Sequence, residues 1–499
     1  MNTKLLKQKI LDLAIRGKLT QQLKSDGTAA DLLKEIADAK SALSQPKGKK
    51  SKRFVPISRI YCENGVWFEQ LENAKPKDIS EEIPFEIPEN WTWCRLECVC
   101  FDIADIDHKM PAVCDNGIPY ISPLNFVANN KIDFAGAKKI SKEDFLQLSK
   151  KCKPERGDII FPRYGTIGVI RTVETDIDFL VSYSCATIKP CKNHMDARYV
   201  SALLQSPLIQ EIEIPRHINK TTQANVGLQS IKKFLFALPP LAEQRRIVEK
   251  IQETFAEIDS IENNKELLKT HIKQVRQKIL DLAIHGKLVP QNKSDESASV
   301  LLERITRDNP HYEKIEDEPF EIPENWAWCR LGDILNIARG GSPRPIQDYL
   351  TDDENGLNWI KIGDTEKGGK YIETVKEKIK PSGLSHTRAV KAGDFLLTNS
   401  MSFGRPYILK VDGCIHDGWL VLGNVKKSMI PDFLYYMLSS DFIYQSFAFA
   451  AAGSTVKNLK SETVQGTLFP LPPLKEQSQI VAKIEELFST LDQMERNLV

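Results

Sequence analysis

The chain has no long apolar run: nowhere in its 499 residues do about 18 or more uncharged apolar residues follow one another, the length a membrane-crossing helix needs. Its start, MNTKLLKQKI, lacks the apolar core of a secretory signal. These two absences predict a soluble, cytoplasmic protein without a membrane partner. The ten cysteines form no CxxC pair. Cys94, Cys98 and Cys100 come nearest to a metal cluster, but the related stretch later in the chain keeps only Cys329. Buried free thiols are therefore expected, and no metal site. The eight histidines show no ligand spacing. No Gly-x-x-x-x-Gly-Lys-Ser/Thr phosphate loop is present, so ATP is not expected on this chain. An Asn/Asp-Pro-Pro-aromatic loop, which would grip an extruded adenine, is missing too. Asn309-Pro310-His311-Tyr312 approaches it, but histidine replaces the second proline, and a turn in a linker is the better reading. No nucleophile, base or metal set recurs, which predicts a non-catalytic chain. A net charge of +1 neither requires nucleic acid nor excludes it.

What the sequence does have is itself, twice. FEIPENWTWCRL (Phe85 to Leu96) returns as FEIPENWAWCRL (Phe320 to Leu331), identical at eleven of twelve positions. QKILDLAIRGKL (Gln8 to Leu19) returns as QKILDLAIHGKL (Gln277 to Leu288), again at eleven of twelve. LPPLAEQRRIVEKI (Leu238 to Ile251) returns as LPPLKEQSQIVAKI (Leu471 to Ile484), at ten of fourteen. The repeat is circular. Met1 corresponds to Thr270 and Val499 to Glu266, so one unit is the same object as the other, cut open within a helix. Residues 1 and 499 are accordingly expected to lie close together.

That helix carries a heptad seam: Ile247, Ile251, Thr254, Ile258, Ile261, Lys265, Leu268, Ile272, Val275, Ile279 and Leu282 alternate at spacings of four and three. Pro239 and Pro240 precede it, and Gly286 and Pro290 end it. At 1.5 Å per residue its length is roughly 70 Å. Ile480, Ile484, Leu487, Leu491 and Met494 repeat the seam at the C-terminus, and Leu6, Ile10 and Leu13 continue it at the N-terminus. The termini together should pack antiparallel against the central helix.

The expected organisation is an N-terminal helical segment (1–36), a basic insert or linker (37–82), a first globular domain (83–240), the central helix (241–290), a linker (291–317), a second globular domain (318–473) and a C-terminal helix (474–499). The insert has no second copy: Ile36 and Phe85 are 49 positions apart, Ile305 and Phe320 only 15. It contains KGKKSKR (Lys47 to Arg53), a solvated loop by default. Inside the globular domains, short apolar or alternating runs such as GDIIFPRYGTIGVI and GDFLLTNSMSFGRPYIL, followed by helical runs, give a mixed α/β class with irregular sheet. Trp91, Trp93, Trp326 and Trp328 are expected in the core. The frame is kept alike and the interiors have diverged. Two different readers held apart by a rod suit a linear polymer with two separated marks, and DNA is such a polymer.

The circular repeat, the LPPLAEQ and LPPLKEQ boxes running into helices, the Q-x-x-LDLAI-x-GKL ends and the PFEIPENW entries resemble the specificity subunit of type I restriction-modification enzymes over nearly the whole chain. The resemblance implies two target recognition domains on a long antiparallel coiled coil with a pseudo-twofold axis. Each domain would read one half of an asymmetric bipartite site in double-stranded DNA. The helices would set the spacer and dock two adenine-N6 methyltransferase subunits, and motor-nuclease subunits would complete the complex. S-adenosylmethionine, ATP and Mg would belong to those partners, with no cofactor on this chain. DNA contacts are expected from loops bearing Arg163, Tyr164, Lys220, Thr221, Thr222 and Asn225 in the first domain. In the second they are Arg339, Ser342, Arg344, Asn399, Ser400, Arg405, Thr455, Lys457 and Asn458. The competing readings are a self-contained methyltransferase or nuclease of the same lineage, and an adaptor that binds no DNA.

Overall fold

In a computed structural model the chain forms two compact units, Met1–Asn263 and Asn264–Val499. The structure describes residues 2–43, 58–71, 74–106, 110–128, 130–219, 224–307, 309, 312–366, 368–400, 403–451 and 458–498. KGKKSKR at 47–53 lies outside these, as do residues 1 and 499 and hence their expected proximity.

In the first unit a four-stranded antiparallel sheet runs in the order Arg171–Thr172, Ile159–Pro162, Cys185–Pro190, Cys100–Ala104. All four residues of Ile159–Pro162 are buried, so that strand reads as an unbroken apolar run rather than an alternating one. A second sheet takes the order Leu180–Val181, Ile118–Ile121, Lys138–Ile140, Val113–Cys114, its first pair parallel. The second unit elaborates the same plan. One five-stranded sheet has the order Asn336–Arg339, Trp419–Gly423, Phe395–Thr398, Pro406–Leu409, Tyr371–Ile372. The other has the order Leu350–Thr351, Lys378–Ile379, Leu357–Ile360, Gly413–Ile415, Arg388–Val390, and it too contains a parallel pair, Leu357–Ile360 with Gly413–Ile415. The class is mixed α/β, as the run lengths predict.

The repeated boxes meet in space, and their meeting explains why they are kept alike. Thr92–Arg95 pairs with Leu235–Leu238, and Ala327–Arg330 with Leu468–Leu471, so each FEIPENW box is zipped to its own LPPL exit. All four tryptophans of the boxes are buried. Glu243, fully buried, accepts hydrogen bonds from Trp91 Nε1 at 2.9 Å, Gln22 Nε2 at 2.9 Å and Asn90 Nδ2 at 3.4 Å. One carboxylate thus ties the entry box, the exit box and the end of the QKILDLAI box. In the second unit Glu476 takes the same place and accepts from Gln291 Nε2 at 2.6 Å. Trp326 Nε1 and Asn325 Nδ2 gather around it more loosely, without formal hydrogen bonds. The neighbouring glutamine is duplicated as well. Gln244 donates to Pro239 O and accepts from Asp196 N–H, both at 3.0 Å; Gln477 donates to Pro472 O at 3.0 Å and accepts from Ile430 N–H at 2.9 Å. Asp196 and Ile430 cap the helices Ala197–Leu204 and Pro431–Leu438, so each glutamine fixes a helix start to the frame.

The central helix is a single element, Leu241–Ile284, and it fits a coiled-coil linker. Both QKILDLAI boxes end at a glycine, Gly17 and Gly286, with φ +66°. Within the first unit the N-terminal helix Thr3–Ile15 runs antiparallel to the central one: Thr3 Oγ1 donates to Glu262 at 3.2 Å, and Lys7 pairs with Asp259. Within the second unit the helix Leu474–Arg496 does the same, Arg276 pairing with Asp492. Lys7 also lies 5.4 Å from the centre of the Phe255 ring and Arg276 5.1 Å from Phe488, so the cation, carboxylate and ring recur together.

The seam is buried only in part. Ile247, Ile251, Ile258, Ile272, Ile279, Ile480 and Ile484 are buried, and Leu282, Leu487, Leu491, Leu6, Ile10 and Leu13 partly so. Contrary to expectation, Ile261, Leu268, Val275 and Met494 are exposed. A pair of helices covers one narrow stripe, and Glu262 already lies opposite Thr3, the first turn of its partner, so cover within the first unit ends there.

Part of the stretch read as insert or linker is folded. Ala29–Leu43 is a helix, and Arg59–Glu63, Val66–Gln70 and Lys77–Asp78 form a three-stranded meander. Asn64 and Gly65, at φ 50° and 80°, make its two-residue turn, a signal present in the sequence as Asn-Gly. Buried Arg95 fastens the meander through Glu69 at 2.6 Å and the turn that follows it, Ser80–Glu82, through Glu82 at 2.8 Å.

Candidate nucleic-acid interface

In the second unit the strand Phe395–Thr398, central in its sheet, is fully buried and delivers Asn399 to the end of the strands. Gly404, at φ +70°, lets the following loop turn back, its N–H donating to Thr398 O at 2.9 Å. Asn399 Nδ2 donates to Asp417 O at 2.7 Å, and Arg339 Nε donates to the same carbonyl at 3.0 Å. The Asp417 carboxylate accepts from Ser342 Oγ at 3.0 Å and from Arg344 Nη2 at 3.3 Å. Four predicted residues, Arg339, Ser342, Arg344 and Asn399, therefore converge on one aspartate, but Asn399 is only 2% exposed and, contrary to expectation, is a buried support and not a DNA contact. Burial would raise that carboxyl, but the Ser342 hydroxyl and the charges of His416, Arg339 and Arg344 hold it below the usual range. Asp417 is a charged acceptor at neutral pH, and the Arg344 side chain beside it is 80% exposed. Such a pair offers a groove edge both an acceptor, as cytosine N4 requires, and a donor fork, as guanine requires.

Ser400 and Arg405 sit on the same loop; Arg405 is exposed and its backbone N–H is held by Thr398 Oγ1 at 2.9 Å. Leu459 N–H donates to Asn399 O at 2.8 Å, which brings exposed Asn458 to this edge. Thr455 and Lys457 lie outside the described residues. Ser342, Arg344, Trp359, Lys361, Glu377 and His416 line an adjoining cleft of about 420 Å³.

The first unit builds the same edge from different side chains. Arg163 stands where Asn399 stands: its N–H donates to Ser184 O at 2.8 Å, and Val226 N–H donates to its carbonyl at 3.0 Å. Its guanidinium donates to Tyr183 O at 2.9 Å, the counterpart of the Asp417 carbonyl. Arg163 is nevertheless no free DNA donor. It is 4% exposed and its Nη2 is paired with Asp105, itself buried, at 2.5 Å. Removing that guanidinium would take from buried Asp105 its close partner and leave Lys151 at 3.8 Å, so its role is to shape the wall. Tyr164 is half-buried, bridges to Asn225 and lies over the Arg163 guanidinium at 5.3 Å. Asn225 accepts from Asn219 Nδ2 at 3.3 Å. Lys220, Thr221 and Thr222 lie outside the described residues.

Asp417 and Asp105 were not legible as site residues, because acidic side chains carry no signature of DNA binding by themselves. Tyr312 N–H donates to Asn309 O at 3.2 Å; Pro310 and His311 between them lie outside the described residues. Among the described residues no group of three or more His, Cys, Asp or Glu could hold a metal. Burial pushes the Cys191 thiol up to about 11 and Cys185 to about 12, so both are protonated at neutral pH and are poor nucleophiles. No helix among the described residues is long and apolar enough to cross a membrane.

Two units built on one repeated frame, with diverged strand ends at matching positions, define a pair of recognition domains. Residues 89–270 and 323–498 match the type I restriction modification DNA specificity domain, and the chain belongs to that family. It is a DNA-recognition subunit, not a catalytic one. Its relatives include the specificity subunit of the type I restriction enzyme EcoAI of Escherichia coli, 24% identical over 98% of this chain and 90% of that protein. The EcoEI specificity subunit of Escherichia coli is likewise 24% identical, over 99% and 90%. The fold resembles that of the HsdS subunit from Thermoanaerobacter tengcongensis, with a TM-score of 0.51 and 21% identity over 84% of this chain and 94% of that one. A chain from a study of complex assembly and conformational transition of the type I R-M system gives 0.55 and 21%, over 83% and 94%.

Proposed function

We propose that the chain reads an asymmetric bipartite site in double-stranded DNA, one half per domain, and docks two adenine-N6 methyltransferase subunits. Motor-nuclease subunits complete the assembly. S-adenosylmethionine, ATP and Mg belong to the partners. The exposed or half-buried predicted contact residues that the structure describes form the reading edges, and the buried Arg163 and Asn399 shape the wall beneath them. The observation that carries this proposal is the pairing of sameness with difference. Glu243 and Glu476 hold near-identical boxes in the two units, while at matching strand ends the first unit shows half-buried Tyr164 and the second shows exposed Arg405 and the Asp417–Arg344 pair. Identical frames suit two copies of one partner protein, and different edges suit two different half-sites.

The test is a map of N6-methyladenine in DNA from cells with and without the chain. A two-part motif present only with the chain is expected. Replacing Arg344 and Arg405 by Gln should relax one half of that motif and leave the other intact. Loss of both halves together, or methylation that ignores the chain, would refute the proposal.

A further inference from the structure

One side chain at the first domain's edge is held out to solvent with nothing to pack against. Leu124 is 94% exposed, in a short 3-10 turn, Pro123–Asn125, at the end of the strand Ile118–Ile121. A lone exposed leucine is ordinary on a protein surface. This one sits on a turn that is braced from several directions. Asn125 Oδ1 accepts from Ser122 N–H at 3.0 Å, and Asn125 O accepts from Asp133 N–H at 2.8 Å. The Arg171 guanidinium donates to Val127 O at 2.6 Å, Ile170 O at 2.7 Å and Lys131 O at 3.2 Å, which fixes the loop behind the turn.

The turn adjoins the reading edge. Ile121 O accepts from Ser182 N–H at 2.8 Å, and Ser184, two residues on, is the residue that binds Arg163 N–H. The second unit has the same corner. Ile360 O accepts from His416 N–H at 3.4 Å, and the turn Ile362–Asp364 follows, with Asp364 Oδ2 accepting from Lys361 N–H at 2.8 Å. At its tip stands Gly363 in place of leucine, exposed and with open space around it. One fixed corner therefore shows an apolar side chain in one reader and none in the other.

Resting on the reading that these edges face DNA, we infer that Leu124 is a specificity-determining residue that packs on a thymine 5-methyl group in the first domain's half-site. Leucine can neither donate nor accept a hydrogen bond, and the thymine methyl is the apolar feature that base edges offer in the major groove. A braced turn loses little backbone entropy on contact, so loop ordering does not offset the methyl contact.

The test uses the complex of the chain with its partner subunits and duplexes carrying the mapped motif, each thymine replaced in turn by deoxyuridine. At one thymine the wild type should bind about fourfold more weakly without the methyl, the worth of one buried methyl group. Leu124→Gly should bind both duplexes equally, at the wild type's weaker level. Because Leu124 packs against nothing, this variant should fold as the wild type does. Wild-type binding that is flat across the whole series, or a Leu124→Gly variant with wild-type affinity and the same methyl dependence, overturns the assignment. If the wild-type complex prefers the mapped motif no more than a scrambled duplex, the DNA-reading proposal falls instead.

Discussion

Glu243 and Glu476 occupy equivalent places with unequal satisfaction. Glu243 is met by three side-chain amide or indole donors within 3.4 Å, whereas Glu476 holds one short hydrogen bond while Oε2 has none. Burial pushes the Glu476 carboxyl above its ordinary value of 4.5, and its hydrogen-bonding neighbours only partly offset this. A folded-state pKa above the unfolded one contributes stability that is complete below the unfolded value and is lost as pH rises through the folded value. Glu476→Gln removes that titration and keeps an acceptor for Gln291. The Tm of Glu476→Gln relative to wild type should therefore rise as pH increases above the ordinary value of 4.5, by calorimetry at each pH. A constant difference would show that Glu476 titrates normally. Glu69 and Glu82 have the opposite sign. Burial would raise them, but the Arg95 guanidinium holds both below the usual range, so their contribution is present at neutral pH and lost on acidification.

At the scale of elements, the joint between each helix and its domain rests on a glycine against a proline. A Cβ on Gly17 would lie 2.3 Å from Pro88 Cγ, and one on Gly286 2.4 Å from Pro323 Cγ, and both residues are left-handed. Gly17→Ala and Gly286→Ala should each destabilise the protein by more than about 1 kcal/mol, measured by denaturant unfolding. The residue before each glycine is the one that differs between the copies, yet both faces meet the same partner. Arg16 lies 4.2 Å from the Phe85 ring centre and His285 4.0 Å from that of Phe320, so a cation and an imidazole do the same packing. The FEIPENW motif is thus the surface on which three boxes close, and its near identity follows from having to fit the same carboxylate, proline and helix end twice.

At the scale of the molecule, the central helix begins in one compact unit and ends in the other. Inserting a heptad between Asn264 and His271, where Leu267 and Leu268 are exposed, should change the spacer of the mapped motif and leave both half-sites as they were. An altered half-site with an unaltered spacer would refute the helix as the ruler.

Periodicity, duplication and turn chemistry are local properties, and they alone determined the long helix, the two-unit plan, the buried tryptophans and the family. The heptad spacing named Ile247 and Ile279 correctly because burial on a helix follows a fixed period. It misnamed Ile261, which lies where its partner helix ends, and Val275, which is exposed although Arg276 beside it meets Asp492, because two helices cover a stripe narrower than the one the period marks. Site residues divided in the same way. Arg339, Ser342 and Arg344 were found from their side-chain chemistry, but Asp417, which joins them, is 78 positions from Arg339. Arg163 and Asn399 looked like readers and are buried supports, because only packing brings Asp105 against the one and the Asp417 carbonyl against the other. Which polar groups face outward is decided by contacts across long sequence separations, and those exist only once the sheets have closed.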